Sequence, residues 1–172
     1  MLVIFSKLEI AAQDRAWIDD IRRKHDPQHR LVEPHFTFVF PFDGLSTDEV
    51  VAHALDVATD ASRIPFRLSR AAAMRDLLGS GSHVFLLPSL GDAEIRTLHS
   101  QFYSGVLGPK RHPTAVFVPH VTVAAFERHE DAERTAASLG SFDITGMLSA
   151  VHVVDFDGTR VTELCALTLG SA

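Results

Sequence analysis

One short phrase occurs twice in this chain, and the two copies constrain its fold more than any other feature. Residues 34–38 read Pro-His-Phe-Thr-Phe, and residues 119–123 read Pro-His-Val-Thr-Val. Side chains at positions i and i+2 of a strand share one face. Each copy therefore predicts a strand with imidazole and hydroxyl on one face. The other face is expected to meet a core through Phe36, Phe38 and Phe40 in the first copy, and Val121 and Val123 in the second.

Two such strands facing each other across a cleft would present two imidazoles and two hydroxyls to one small ligand. The imidazoles belong to His35 and His120, and the hydroxyls to Thr37 and Thr122. Cleavage of a phosphodiester needs a group that takes a proton, a group that gives one, and donors to the charged phosphate oxygens. Histidine, with an unperturbed pKa of about 6.5, suits both proton transfers. The paired motifs therefore indicate acid–base chemistry on a phosphate, with no metal or other cofactor required.

The length and composition predict one globular domain covering residues 1–172. Hydrophobic residues make up 46% of the chain and charged residues 22%, which is enough apolar material for a substantial core. The formal net charge of −6 argues against a broad basic surface, and so against duplex DNA as a partner. A local basic pocket for one nucleotide or one RNA end is compatible with that charge.

Cysteine usage and the apolar runs bear on localisation. The single cysteine, Cys165, excludes an intrachain disulfide and fits a reducing compartment. The first ten residues lack the basic start and the small-residue cleavage site of a signal peptide. No apolar run approaches the roughly 18 residues that a membrane span requires. We therefore expect a cytoplasmic protein without membrane contact.

The predicted elements mix strands and helices without strict alternation. Ser46 and Glu49 have the spacing of a capping box, which opens a helix ending near residue 61, and Asp157-Gly158 predicts a hairpin turn. Strands are predicted over residues 2–10, 35–42, 64–72, 82–88, 116–126, 142–155 and 160–169, helices over 12–25, 92–103 and 129–139, and a loop over 105–113. This order indicates an α+β fold, a bilobal single domain with two largely antiparallel sheets around a central cleft and helices outside.

Two strand-borne His-x-Thr motifs half a chain apart resemble the 2H phosphoesterase superfamily. Within it, the likeness is to the bacterial 2′-5′ RNA ligase-like, or RNA 2′,3′-cyclic phosphodiesterase, group. Residues 83–87 (HVFLL), a helix that carries Leu98 and then the second motif also follow that family's order of elements. The resemblance spans most of residues 1–170, although its specific content is the two motifs. It implies two pseudo-symmetric lobes around a central groove.

The resemblance also implies roles for the four motif residues. His35 and His120 would be the general acid and base, in an order that the sequence does not specify, and Thr37 and Thr122 would hold the non-bridging phosphate oxygens. Members of the family open 2′,3′-cyclic phosphates of RNA ends or nucleotides to monoesters, and some join or cleave 2′-5′ linkages. We therefore expect a hydrolase acting on a small nucleotide or an RNA terminus. The physiological substrate, the regiochemistry, any ligase activity and the oligomeric state stay open.

Basic residues near the motifs are weaker candidates for substrate binding. Lys110 and Arg111, followed by His112, stand just before the second motif and could clamp a nucleotide phosphate. A similar group stands before the first motif: His25, His29 and Arg30. Arg75 could also reach the cleft.

The remaining histidines show no recurring spacing, and we expect them at the surface or in local hydrogen bonds: His53, His83, His99, His129 and His152. Residues 79–81 (Gly-Ser-Gly) lack the form and the strand-to-helix context of a phosphate-binding loop.

Two other functions are compatible with the same residues. A non-catalytic module of the same fold would hold a nucleotide or an RNA end without turning it over. Alternatively, His35 and His120 would be metal ligands, although two histidines leave a three- or four-ligand site incomplete. Retention of both motifs favours catalysis, because a pure binding module needs no matched acid and base.

Overall fold

The computed structural model describes residues 1–76 and 81–170. The strands within these residues are β1 (Leu2–Lys7), β2 (Glu9–Ile10), β3 (His35–Phe42), β4 (Ile64–Arg75), β5 (Ser82–Leu90), β6 (Val121–Phe126), β7 (Ile144–Leu148), β8 (Ala150–Phe156) and β9 (Val161–Thr168). The helices are α1 (Ala12–His25), α2 (Thr47–Asp60), α3 (Asp92–Phe102) and α4 (His129–Ser138), and a 3-10 helix spans Gly105–Lys110. The predicted α+β class is confirmed.

Two antiparallel sheets carry the motifs at their edges. Sheet A has the strand order β3-β1-β8-β9, and sheet B has the order β2-β7-β4-β5-β6. The first motif lies on β3 and the second on and just before β6, so each motif belongs to an edge strand. Strands β3 and β6 also approach each other closely. The sheets therefore meet at the two edges that carry the histidines.

Two predicted strands are each divided between the sheets. The strand predicted over residues 2–10 is β1 in sheet A and β2 in sheet B, with the buried Leu8 between them. The strand predicted over residues 142–155 is β7 in sheet B and β8 in sheet A, with Ser149 between them. The Ser6 hydroxyl donates to the Ala150 carbonyl at 2.5 Å beside these crossings. The prediction of unbroken strands is wrong. An apolar pattern indicates that a strand is buried, but it does not indicate which sheet the strand joins.

The segment before the second motif also differs from its prediction. The strand begins at Val121 and not at residue 116, and the 3-10 helix occupies most of the predicted loop. Pro119 has no N–H to donate to a ladder, which limits pairing before the motif. The Phe117 carbonyl accepts a hydrogen bond from Arg96 of α3 instead of from a strand.

The inward face of β3 follows the predicted alternation only in its first half. Phe36 and Phe38 are buried, as predicted, but Phe40 is 42% exposed. The ladder between β1 and β3 shifts register twice, which inserts extra residues into β3. Val39 therefore takes the buried position after Phe38. The prediction for the second motif holds, since Val121 and Val123 are both buried.

One hydrophobic core joins both sheets and all four helices. The ring of Phe36 in sheet A meets the ring of Phe66 in sheet B edge-on, with centroids 5.5 Å apart. Helix α1, which precedes β3, packs against β6, whereas α3, which precedes the second motif, packs against β3. Each motif strand is therefore supported by the helix that precedes the other one.

The predicted capping box forms at the start of α2. The Ser46 hydroxyl accepts from the Glu49 backbone N–H, and the Glu49 carboxylate accepts from the Ser46 backbone N–H. Among residues 1–76 and 81–170, no helix combines the length and apolarity needed to cross a bilayer.

Candidate active site

The two motifs line one cleft of about 710 Å³. His35 and Thr37 stand on β3, Thr122 stands on β6, and His120 immediately precedes β6. The apolar residue between histidine and threonine points into the core in both motifs. The i, i+2 spacing thus sets imidazole and hydroxyl on the same side of each motif. The meeting of the two sheet edges then brings all four side chains to one space.

Both imidazoles are held by the same local hydrogen bond. His35 Nδ1 lies 2.7 Å from the Glu33 carbonyl oxygen, and His120 Nδ1 lies 2.6 Å from the Val118 carbonyl oxygen. A carbonyl oxygen only accepts, so each ring carries a proton on Nδ1 and donates it. In each neutral ring Nε2 is therefore the unprotonated nitrogen. The two histidines share one tautomer, and Nε2 is the atom through which each can exchange a proton with a ligand.

A phenylalanine from the adjacent strand packs against each imidazole. Phe5 of β1 lies beside His35, with ring centroids 4.6 Å apart, and Phe85 of β5 stacks on His120 at 3.7 Å. The same two phenylalanines pair in the ladders with the motif threonines. The repeat therefore extends from the motif to the neighbouring strand of each sheet.

Burial lowers the pKa of both histidines to about 4. The hydrogen bonds to the Glu33 and Val118 carbonyls oppose that shift without cancelling it. The Arg22 guanidinium lowers the pKa of His35 further, and the Asp26 carboxylate opposes that effect. Both imidazoles are consequently neutral at pH 7. An anionic phosphate between them would favour the protonated form and raise these pKa values.

A second histidine flanks each of the two phenylalanines. His83 stacks on Phe85 with centroids 5.8 Å apart, and His152 stacks on Phe5 at 5.7 Å. Each outer histidine has a carboxylate beside it: Asp76 at 3.6 Å from His83 Nε2, and Glu163 at 2.9 Å from His152 Nδ1. His83 lines the cleft, which the sequence analysis did not predict. In the sequence, His83 stands two residues before Phe85, where the motifs have a threonine, so it did not resemble them.

Side chains of α3 and of its C-terminal end bind the open edge of β3. His99 Nδ1 donates to the Phe38 carbonyl at 2.8 Å, and the Tyr103 hydroxyl accepts from the Phe40 N–H at 3.1 Å. An edge strand presents unpaired backbone groups, and these two bonds provide partners for two of them. The expectation that His99 lies at the surface or in a purely local bond is wrong, since it is 4% exposed and its partner is 61 residues away.

His99 also contacts the chain that leads to the second motif. Its ring stacks on Phe117 with centroids 3.6 Å apart and an angle of 3° between the planes. Burial lowers the pKa of His99 to about 4, and the charges of Arg111 and Arg96 lower it further. One neutral imidazole on α3 therefore touches the segments that carry both motifs.

The cleft is more basic than the protein as a whole. Its lining includes four permanent cations, against the two carboxylates of Asp26 and Asp76. The four cations are Arg22, Arg75, Lys110 and Arg111. In a chain of net charge −6, this concentration of positive charge creates a local site for an anion.

The predicted basic residues fall into two groups. Lys110 and Arg111 line the cleft, as do His112 and Arg75, and the Lys110 ammonium donates to the Asp43 carbonyl at 2.7 Å. The group before the first motif does not contribute to the lining: His25, His29 and Arg30. Gly79 and Ser80 lie outside the described residues.

An ion pair beside His35 was missed by sequence reasoning. Arg22 Nε donates to the Asp26 carboxylate at 2.7 Å, and both side chains are buried. Arg22 Nη2 also donates to the Val32 carbonyl at 2.8 Å, which ties the loop after α1 to the helix. The i, i+4 spacing of this pair was visible in the sequence, but nothing there indicated its burial. Among the residues that the structure describes, no three His, Cys, Asp or Glu side chains form a group able to hold a metal ion.

Comparison with known proteins identifies the family. The sequence model of the 2′-5′ RNA ligase superfamily matches residues 9–160, which include both motifs. The chain belongs to this superfamily. The resemblance inferred from the motifs is thereby confirmed.

The matches to individual curated relatives cover part of this chain. A Bacillus licheniformis protein provisionally named a phosphoesterase is 32% identical over 106 residues, covering 60% of this chain and 59% of the relative. The chain matches less than two thirds of the length of the first curated relatives.

Solved structures show the same fold along nearly the whole chain. Escherichia coli LigT in complex with NADP⁺ superimposes with a TM-score of 0.62 at 20% identity, covering 99% of this chain and 98% of LigT. Kluyveromyces marxianus Usb1 gives a TM-score of 0.57 at 12% identity, covering 98% of this chain and 97% of Usb1. LigT has also been crystallised with 3′-AMP.

Proposed function

We propose that the protein is a phosphodiesterase that opens a 2′,3′-cyclic phosphate on an RNA end or a nucleotide to a monoester. His35 and His120 together supply the general acid and the general base, in an order left open, and Thr37 and Thr122 donate hydrogen bonds to the non-bridging oxygens. The observation that carries the proposal is the pair of cleft-lining imidazoles in the same tautomer, each held at Nδ1 by a backbone carbonyl.

The reaction needs only one proton transfer at each imidazole. Nε2 of one histidine takes a proton from water as the water oxygen attacks phosphorus. The bond from phosphorus to one ribose oxygen breaks, and Nε2–H of the other histidine protonates that oxygen. The product is a phosphate monoester with a free hydroxyl. The two histidines have then exchanged protonation states, and exchange with solvent restores them.

The charge and size of the cleft support a small anionic substrate. Lys110 and Arg111 are proposed to attract and hold the nucleotide phosphate, since both line the cleft near the second motif. A cleft of about 710 Å³ has room for a nucleotide or the end of one strand. The nucleotide complexes of LigT, which shares this fold, favour the same class of ligand.

The test is turnover of a panel of 2′,3′-cyclic nucleotides and cyclic-ended RNA, with the product isomer read by phosphorus NMR. His35→Ala and His120→Ala are each expected to lower kcat by about 10³-fold, because general acid–base catalysis contributes about 10²–10⁴. His29→Ala is the matched control, since His29 lies outside the cleft lining. Activity is expected to survive strong chelation.

Three results would contradict the proposal. Full activity in both single variants would exclude acid–base roles for the two motif histidines. Tight binding of the cyclic phosphates without turnover would identify a binding module. Loss of activity on chelation, restored by a divalent cation, would favour the metal-ligand alternative.

A further inference from the structure

Arg22 is the most buried of the four permanent cations that line the cleft. It is 3% exposed, whereas Lys110 is half-buried and Arg75 and Arg111 are exposed. It lies in the last turn of α1, a helix that packs against β6 and is followed by the loop leading to β3. A charged side chain this deeply buried needs partners for its N–H groups.

Three hydrogen bonds fix the plane of the Arg22 guanidinium. Nε donates to the Asp26 carboxylate at 2.7 Å, and Nη2 donates to the Val32 carbonyl at 2.8 Å and to the Gln28 carbonyl at 3.5 Å. The Asp26 carboxylate is held in turn by the Gln28 backbone N–H at 2.8 Å. Because the guanidinium is planar and rigid, it cannot turn without breaking these bonds.

None of these bonds uses Nη1, which carries two of the five guanidinium N–H groups. No residue in the described part of the chain accepts a hydrogen bond from it. Within the same residues, the one side-chain nitrogen or oxygen that is buried without a partner is His83 Nδ1. Nη1 is therefore open to solvent. Since Arg22 is otherwise buried and lines the cleft, Nη1 is reached from the cleft.

This guanidinium stands beside the first motif. Val32, whose carbonyl accepts from Nη2, directly precedes Glu33, whose carbonyl accepts from His35 Nδ1. The charge of Arg22 also lowers the pKa of His35, so its electrostatic effect extends to the imidazole. Arg22 and His35 line the same cleft. An anion held at His35 would therefore have a fixed cation beside it.

We propose that Arg22 Nη1 donates a hydrogen bond to a non-bridging oxygen of the phosphate held by the two motifs. This inference rests on the proposed function, since it takes the position of the phosphate from the motifs. The hydroxyls of Thr37 and Thr122 are neutral donors, and a charged donor forms the stronger hydrogen bond to a phosphate oxygen. The guanidinium is oriented before the substrate binds, so it needs no reorganisation as charge develops on that oxygen. Asp26 is a positioning residue, because it orients Arg22 without touching the substrate.

The experiment is calorimetric titration of the full chain with inorganic phosphate. The double variant Arg22→Gln, Asp26→Asn removes the guanidinium and its carboxylate together, which keeps the net charge and leaves neither charge buried alone. Loss of one charged hydrogen bond is expected to raise Kd about 10-fold. The matched control, Arg67→Gln, Asp143→Asn, makes the same change in an exposed ion pair outside the cleft lining, and it should keep the parent Kd.

A measurement on the parent protein makes the test independent of the folding of the double variant. Nitrogen NMR of the Arg22 guanidinium, recorded during the same titration, should show the Nη1 resonance shifting and saturating with the calorimetric Kd. A purely structural Arg22 would keep its resonances unchanged.

The possible failures of this inference and of the proposed function are distinguishable. A phosphate Kd that is equal in the parent and the folded double variant would overturn the role of Arg22 alone, as would an Nη1 resonance that phosphate does not shift. Turnover of 2′,3′-cyclic phosphates by the same preparation tests the proposed function separately. A parent that turns these substrates over without binding phosphate would again overturn only the role of Arg22. A parent that neither binds phosphate nor turns over any of them would refute both.

Discussion

The lowered pKa values of the motif histidines lead to a prediction about the pH dependence of catalysis. Acid–base catalysis needs one imidazole protonated and one neutral. With pKa values of about 4 for His35 and His120, about one molecule in 10³ carries a proton on a given motif histidine at pH 7. At pH 5 the fraction is about one in 10. The value of kcat/KM, which reports on the free enzyme, should therefore rise about 100-fold from pH 7 to pH 5.

The enzyme–substrate complex should behave differently. A bound phosphate anion favours the imidazolium form, so the pKa of the acid histidine rises in the complex. The alkaline limb of kcat is therefore expected at higher pH than that of kcat/KM. The assay is the initial rate of opening of a 2′,3′-cyclic nucleotide between pH 4.5 and 8.5 at constant ionic strength.

A variant tests the physical cause of the shift. Phe85→Ala removes the ring that stacks on His120 and lets water reach the imidazole. The pKa of His120 should then rise toward 6.5, and the alkaline limb of kcat/KM should move up by about one pH unit or more. A parent profile with its maximum near pH 6.5–7 would refute the reasoning, because it would mean that burial does not govern these histidines.

Three further predictions concern stability. The pKa of His99 is about 4 in the folded protein and about 6.5 in the unfolded chain, so the unfolded chain takes up the proton first as the pH falls. Lowering the pH from 8 to 5 should therefore reduce the free energy of unfolding by about 2 kcal/mol through this histidine. In urea titrations at the two pH values, His99→Asn should remove that increment, and an unchanged difference would contradict the assignment. Ser46→Ala should lose about 1 kcal/mol because it removes the capping box of α2, a loss that thermal or urea unfolding can detect. Gly146→Ala should cost about 2 kcal/mol or more in the same assay, because a Cβ there would lie 2.5 Å from the Glu9 carbonyl oxygen. Gly108→Ala is its control, with an ordinary 3.8 Å contact, and equal losses in both glycine variants would contradict the packing argument.

Local patterns in the sequence predicted most of the helices and strands, but they failed where long-range contacts determine burial and strand pairing. The capping box at Ser46 involves residues three apart, so it was readable directly. The exposure of Phe40 was not, because the two register shifts in β3 arise from its pairing with β1. The change of sheet at Leu8 and at Ser149 was likewise invisible, since both parts of each run are apolar strands.

The candidate site was likewise predictable only where its signal is local in the sequence. The motif residues were identified because their signal is a repeated spacing within five residues. His83 and His99 were not, because they reach the cleft from β5 and from α3 and share no spacing with the motifs. The buried pair of Arg22 and Asp26 looks in the sequence like any charged pair one helical turn apart.

By itself, the sequence determined the family, the α+β class and which side of each motif carries imidazole and hydroxyl, because side-chain alternation along an extended chain is a local property. Only the tertiary structure decided that the two motifs line one cleft, since that depends on which strands form the sheet edges. It also decided the electrostatic state of His35 and His120. Their pKa values fall to about 4 through burial among residues distant in the chain, such as Phe5 and Phe85, and no spacing within a motif encodes that burial.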